Sequence, residues 1–477
     1  MKENKLFING AWVDAVSGKT FPVVNPSTEE VIGQAALGGP EDVDKAVKAA
    51  VDAFPAWARM VQSERSRIIS RMGAAIRKYA EEFVDLEVRE HGTPVMMARG
   101  FAAAGADNAD YTVALSRALS GQVFPSLPSV KSYLQRVPIG VCAVITPWNV
   151  PLMMMIDMVA PALVTGNTVV LKPASVNSLL AVKFAEMMET LGLPQGVFNF
   201  VTGPGGSVGD ALAGHRGVDL IRFTGSSETG KEIMRVAAGT TKKVIMELGG
   251  NNPVIVCEDA DVVAAATQQA QRHFGNTAQN CSTPGRYYVH EKVYKKFVDT
   301  FAEQVKKIVV GDPADEKTTM GPMANKQQME KVEYYIESAI KEGARIVCGG
   351  KRAAAIGYYL QPTVIADVTH DMTVAREEIF GPAAAILKFS SEEEVIRLAN
   401  DSEYGLVAGV WTKDTAKALR FTDELRVDSV YINMPRTMAT EMTWGGNVKE
   451  SGVGKSGNMC GLEEFTDLKM VCINYAP

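Results

Sequence analysis

The chain has 477 residues, enough for roughly three domains at about 150 residues each. Hydrophobic residues make up 46% and charged residues 22%, which excludes a disordered chain, and 42 glycines without a three-residue period exclude a collagen-like one. A formal charge of −6 gives no general counterion-release affinity for nucleic acid, so no nucleic-acid partner is expected.

The opening MKENKLFINGAWVDA lacks the apolar stretch of a secretory signal. Residues 41–111 read as mostly helical, with amphipathic runs such as EDVDKAVKAAVDAF. Residues 122–137 carry short strand-like runs that fit no helix-and-strand alternation. From Val137 the rhythm changes: VCAVITPW, NTVVLKP, GVFNFVTG and VDLIRFTG read as strands, with helices beginning near Pro151, Asn177, Gly206 and Ser226. That alternation predicts a parallel sheet covered on both faces. The apolar stretch Pro151–Val164 is broken by Asp157 and Pro161 and is too short to span a bilayer, so it reads as a buried helix and no membrane partner is expected. A second series of the same kind follows: PVIVC, a helix from Asp261, RYYVH, a helix from Glu291, and further strands and helices from Ala344 to Asn433. Two successive α/β blocks imply a ligand-sized cleft between them. The tail Asp467 to Ala476 is again strand-like and is free to pair with 122–137 or with another subunit.

Several features mislead. Cys142, Cys257, Cys281, Cys348, Cys460 and Cys472 form no Cys-x-x-Cys pair and the five histidines show no ligand spacing, so no metal is expected and the thiols suit a reducing cytoplasm. GSSETGKE, from Gly225 to Glu232, nearly matches a phosphate-binding loop, yet Glu232 stands where magnesium coordination needs a hydroxyl. What survives is a glycine-flanked turn opening a helix, whose free N–H groups favour an anion. Gly203, Gly205, Gly206 and Gly209 miss G-x-G-x-x-G because Val208 holds the sixth position. Met153, Met154, Met155 and Met158 read as adaptable core packing.

Four segments place polar residues at strand ends. Asn149 lies in TPWNVP, Glu247 in MELGGNNP, Cys281 in FGNTAQNC, and Glu378 and Phe380 in EEIFGP. Singly, each has an ordinary reading: a helix cap, a solvated strand end, an ion-pair member, a core aromatic. A cysteine among Asn, Gln and Ser, however, is not placed as a small core hydrophobe.

In this order and spacing the segments resemble the aldehyde dehydrogenase superfamily. The match runs from FINGAW and NPSTEEVI to KESGVGKSG and LEEFTDLK, and MELGGNNP and F-x-N-x-x-Q-x-C are its most specific motifs. The resemblance implies two Rossmann-like α/β domains plus a small β oligomerisation arm. The cofactor-binding domain would cover residues 1–121 and 138–246, the catalytic domain 247–450, and the arm 122–137 and 451–477, joining a homodimer or homotetramer. It makes Cys281 the nucleophile that gives a thiohemiacetal and then a thioester. Asn149, with the backbone N–H of Cys281, holds the oxyanion, one such donor being worth about 3–4 kcal/mol. Glu247 activates the hydrolytic water and can help take the thiol proton. Relatives that pass the acyl group to CoA usually lack this glutamate, so a CoA-acylating enzyme stands as the alternative, beside a catalytically silent binding protein on the same fold.

The implied cofactor is NAD or NADP, contacted by Trp148, Lys172, Ser175, Gly225, Ser226, Glu378 and Phe380. Lys172 would meet the adenosine ribose, Ser226 the pyrophosphate, Glu378 the nicotinamide ribose, and Phe380 the ring. A glutamate common in NAD-dependent relatives is replaced by Ser175, which admits a 2′-phosphate. Val150, Met154, Asp157 and Trp444 are implied to line the substrate pocket. A carboxylate at Asp157 is expected to disfavour anionic substrates and to select a small uncharged, hydroxylated or cationic aldehyde. Two departures stand out: Ala278 replaces a glycine of the cysteine motif, and Thr443-Trp444-Gly445-Gly446 replaces Pro-Phe-Gly-Gly. If position 278 needs φ > 0, alanine costs about 1 kcal/mol there.

Overall fold

The computed structural model describes residues 5–437 and 439–475. Residues 1–4, at the start of the segment read as lacking a signal, and 476–477, at the end of the expected arm, lie outside the described residues, as does Met438.

β-Branched apolar runs form the buried centre of a first sheet, where Val141–Ile145 and Thr168–Lys172 are buried along their whole length. The strand order is Gly452–Val453, Lys243–Glu247, Leu220–Thr224, Val141–Ile145, Thr168–Lys172, Phe198–Phe200, Leu6–Ile8 and Ala11–Val13. From Lys243–Glu247 to Phe198–Phe200 the pairing is parallel. The chain winds one way from Val141–Ile145 and then returns to its other side at Leu220–Thr224. Strand direction of travel reverses there, which opens a crevice at the carboxyl ends of these two strands. Helix Pro151–Val164 packs beneath, buried except at Met153 and Asp157, so the methionine cluster is core.

The second sheet runs Arg345–Cys348, Thr363–Val368, Ala383–Phe389, Pro284–His290, Asn252–Val256, Val407–Trp411 and Ser429–Ile432, parallel except at Arg345–Cys348. Only Leu248 to Asn251 separate the last residue of Lys243–Glu247 from the first of Asn252–Val256. The chain therefore steps straight from the carboxyl end of one sheet to the amino end of the other.

The tail pairs with the strand-like segment within the same chain: Thr466–Asn474 lies antiparallel to Val130–Pro138, which also pairs with Gln122–Phe124. The C-terminal boundary expected for the arm at 451 is too early. Gly452 and Val453 pair with Glu247 and Met246 in the first sheet, and Leu462 packs into that sheet's core, so the arm begins at Thr466. Among the described residues no helix is long and apolar enough to cross a membrane.

Candidate active site

The crevice between the sheets receives residues from both. Asn149 follows Val141–Ile145 and precedes the helix at Pro151, and its side-chain Nδ2 donates to the Gln279 carbonyl at 2.9 Å. An amide nitrogen carries two protons, so one remains for a substrate oxygen. Gln279 is two residues from Cys281, which ties the donor to the nucleophile's loop. The loop reciprocates: Asn276 Nδ2 donates to the Asn149 carbonyl at 2.7 Å, and Gln279 Oε1 accepts from Ala324 N at 2.9 Å. The Asn and Gln of the cysteine motif are therefore the loop's scaffold. Asn276, Thr277 and Ala278 have φ of 53°, 56° and 58°, so the alanine does occupy a left-handed position.

Cys281 is half-buried, and its carbonyl accepts from Asn252 Nδ2 at 2.8 Å. Burial pushes its thiol up to about 11; Arg436 and Arg272 pull down, Glu247 and Glu378 push up. At rest the sulfur is protonated and needs a base.

Glu247 is 2% exposed, at the end of its strand. Its Oε2 accepts from Gly446 N at 2.8 Å and its Oε1 from Ser456 Oγ at 3.3 Å. Gly445, at φ +117°, leaves the space the carboxylate fills, and a Cβ there would overlap Glu247 Oε1. Burial lifts this carboxyl to about 7 against the pull of Arg222, the Gly446 N–H and Ser456. Arg222 is fully buried and donates to Ser456 Oγ. Neither Arg222 nor Ser456 was foreseen. The readable signal was an arginine inside the buried strand LIRFT, which has to find an internal partner.

Asn108 Nδ2 donates to Asp157 at 2.9 Å, Arg222 attracts it, and it lines a cavity with Arg222, Ser456 and Tyr111. Val150 and Met154 are buried beside Asn149, and Trp444 is half-buried, its indole edge over Gly457.

The cofactor-side residues separate cleanly. Lys172 is 4% exposed rather than a surface lysine; its Nζ donates to the Pro173 carbonyl at 2.8 Å, and burial lowers it to about 8. Ser175 Oγ donates to the Gly203 carbonyl at 3.2 Å, and a Cβ on Gly209 would sit 3.9 Å from the Lys172 side chain. A buried ammonium with unused donors, facing a glycine-lined turn, fits the hydroxyls of a ribose. Ser226 caps helix Ser227–Ala237, accepting from Thr229 N at 3.2 Å, after Gly225 N donates to the Glu247 carbonyl at 3.0 Å. Among the described residues Glu378 makes no ion pair; its Oε1 accepts from Gly250 N at 3.0 Å, and burial raises it to about 7. Phe380 meets Trp148 edge to face with ring centroids 5.4 Å apart, so these two form one aromatic wall.

Comparison with known proteins agrees with this arrangement. The profile of the aldehyde dehydrogenase family matches residues 12–471. A mitochondrial aldehyde dehydrogenase of Mesocricetus auratus is 42% identical over 98% of this chain and 95% of its own length. A betaine aldehyde dehydrogenase of Bacillus subtilis is 39% identical over 99% and 98%. The structure of a Bacillus cereus aldehyde dehydrogenase in complex with NAD+ superimposes with a TM-score of 0.97 at 40% identity, covering 99% of this chain and 97% of that one. With its two α/β units and with Cys281, Asn149 and Glu247 brought to one crevice, the chain belongs to the aldehyde dehydrogenase family and is an NAD(P)-dependent oxidoreductase.

Proposed function

We propose that the protein oxidises a small aldehyde to the free carboxylic acid through a covalent intermediate on Cys281. The observation that carries this reading is that Asn149 and Glu247, from one sheet, converge on Cys281, from the other. Cys281 Sγ adds to the carbonyl carbon as its proton passes to Glu247. The resulting oxyanion is held by the free Asn149 Nδ2 proton and the Cys281 N–H. Trp148 and Phe380 would hold the nicotinamide, which when bound would supply the hydride acceptor that lets the thiohemiacetal become a thioester. Glu247, once it has passed that first proton to solvent, takes a proton from water, whose oxygen attacks the thioester; the C–S bond breaks and the departing thiolate takes up a proton. Aldehyde, water and oxidised dinucleotide give acid, reduced dinucleotide and protons.

Glu247 supports hydrolysis over transfer to CoA. NADP is accepted as well as NAD: burial is the one cause that shifts Lys172, with no carboxylate acting on it, and Ser175 brings no charge. Asp157, whose Oδ2 has no hydrogen-bond partner among the described residues, supports a small uncharged, hydroxylated or cationic aldehyde over an anionic one. The arm joins subunits into a homodimer or homotetramer, supported by the exposed Val123, Leu127, Leu468 and Met470 along it. Six free cysteines support a cytoplasmic setting.

The test is product analysis with and without CoA, using NAD and NADP in turn. Cys281→Ser and Cys281→Ala are expected to abolish reduced-dinucleotide formation. Undiminished turnover in Cys281→Ala would overturn the reading, and a product that appears only with CoA would overturn its hydrolytic half.

A further inference from the structure

The turn that carries Asn149 is held from behind by one short segment, Glu87 to Thr93. Helix Ala80–His91 packs into the core of the first sheet, and Gly92 ends it in left-handed conformation at φ +82°. A Cβ on Gly92 would overlap Pro322, so the chain there is pressed against the second unit. Glu87, His91 and Thr93 are buried, as is Asn276, which reaches them from the nucleophile's loop.

Hydrogen bonding gives this cluster a direction. Burial keeps its two titratable groups neutral, raising Glu87 to about 8 and lowering His91 to about 3. A neutral imidazole has one N–H to place. His91 Nε2 has no partner among the described residues, and a buried N–H without a partner is worse tolerated than a bare lone pair. The proton therefore sits on Nδ1 and goes to Thr93 Oγ1 at 2.7 Å. Thr93's own proton is left for Asn276 Oδ1 at 3.4 Å or Glu87 Oε1 at 3.5 Å. A carboxyl without its charge is a poor acceptor, so the Asn276 amide receives it. Among the described residues Thr93 is the one donor to that oxygen. With Oδ1 held, Nδ2 faces the Asn149 carbonyl, to which it donates at 2.7 Å; a flipped amide would set two oxygens against each other. Glu87 grips the same turn further on. It accepts from the backbone N–H of Leu152, at the start of a helix whose N-cap residue, Val150, offers no side-chain cap.

We propose that Thr93 is a positioning residue for the reaction: by fixing the Asn276 amide, it sets where Asn149 presents its free proton to the oxyanion. This rests on the aldehyde-oxidising reading above. Only a hydroxyl can accept from His91 and donate to Asn276 at once, and a methyl of the same size does neither. An oxyanion donor works only when it is aimed where the charged oxygen will form. The gain therefore falls on kcat and passes through Asn149.

The experiment is a double-mutant cycle, measuring kcat and KM with NAD and the best substrate among propanal, glycolaldehyde and betaine aldehyde. Thr93→Val is expected to lower kcat about tenfold and leave KM for NAD unchanged. Thr93→Ser, which keeps the hydroxyl, should stay within about twofold of the unaltered protein. In the Asn149→Ala background, where the donor is gone, the valine substitution should cost less than about twofold. Should Thr93→Val fail to fold, Thr93→Ala takes its place in the same cycle. An equal loss in both backgrounds would make Thr93 a packing residue, and no loss in either would also overturn its role, leaving aldehyde oxidation in place. No turnover of any of the three aldehydes would overturn both.

Discussion

In the proposed role of base Glu247 has to be ionised, yet it is almost wholly buried, and these conditions oppose each other. Arg222, Ser456 and the Gly446 N–H offset the burial and leave the carboxyl at about 7. Its ionised fraction grows as pH rises, so hydrolysis-limited turnover is expected to climb through about pH 7 and level off above it. Arg222→Met withdraws the nearest positive charge and moves that rise to higher pH. Glu247→Gln removes the base, and kcat is expected to fall about 10²–10⁴-fold. Rapid-quench traces of Glu247→Gln should show NAD(P)H formation that stops near one equivalent per site. Continued steady-state release at the original rate would contradict this role for Glu247.

Among the elements, the loop from Gly275 to Cys281 is the most constrained, with three consecutive non-glycine residues in left-handed conformation. Alanine is poorly suited to φ 58°, and Ala278→Gly is expected to raise unfolding free energy by about 1 kcal/mol. Denaturant melts of the two proteins check it; a less stable glycine variant would mean the buried methyl contributes more than the strain costs. This loop also shows what the sequence could and could not disclose. Cys281, Asn149 and Glu247 were legible because thiol, amide and carboxylate chemistry tolerates few substitutes and each follows a recognisable strand. Ser456 was not, because a serine in a loop fits any solvated surface. Its meeting with Arg222 and Glu247 depends on how segments more than 200 residues apart pack, and residue spacing carries no record of that. The tail's partner stayed open for a related reason: alternation assigns faces to a strand and leaves its neighbour unspecified.

For the molecule as a whole, the arm carries a group of exposed apolar side chains, Val123, Leu127, Leu468 and Met470. Leu468 and Met470, two residues apart on Thr466–Asn474, share a face and are 52% and 55% exposed. Leu468→Glu with Met470→Glu is expected to convert the proposed oligomer to a 51.4 kDa monomer in sedimentation, and an unaltered protein that already sediments as a monomer, or an unchanged mass in the variant, would count against an interface on the arm. Away from the arm, four residues connect the sheet that ends in Glu247 to the one that begins beside Cys281's carbonyl partner. Reactivity is therefore a matter of alignment between two bodies joined by a seam. A slide of a bond length along it would silence the sulfur without altering anything covalent nearby, and whatever grips both sides, as a dinucleotide laid from Lys172 to Glu378 would, also acts as the clamp that keeps the enzyme in tune.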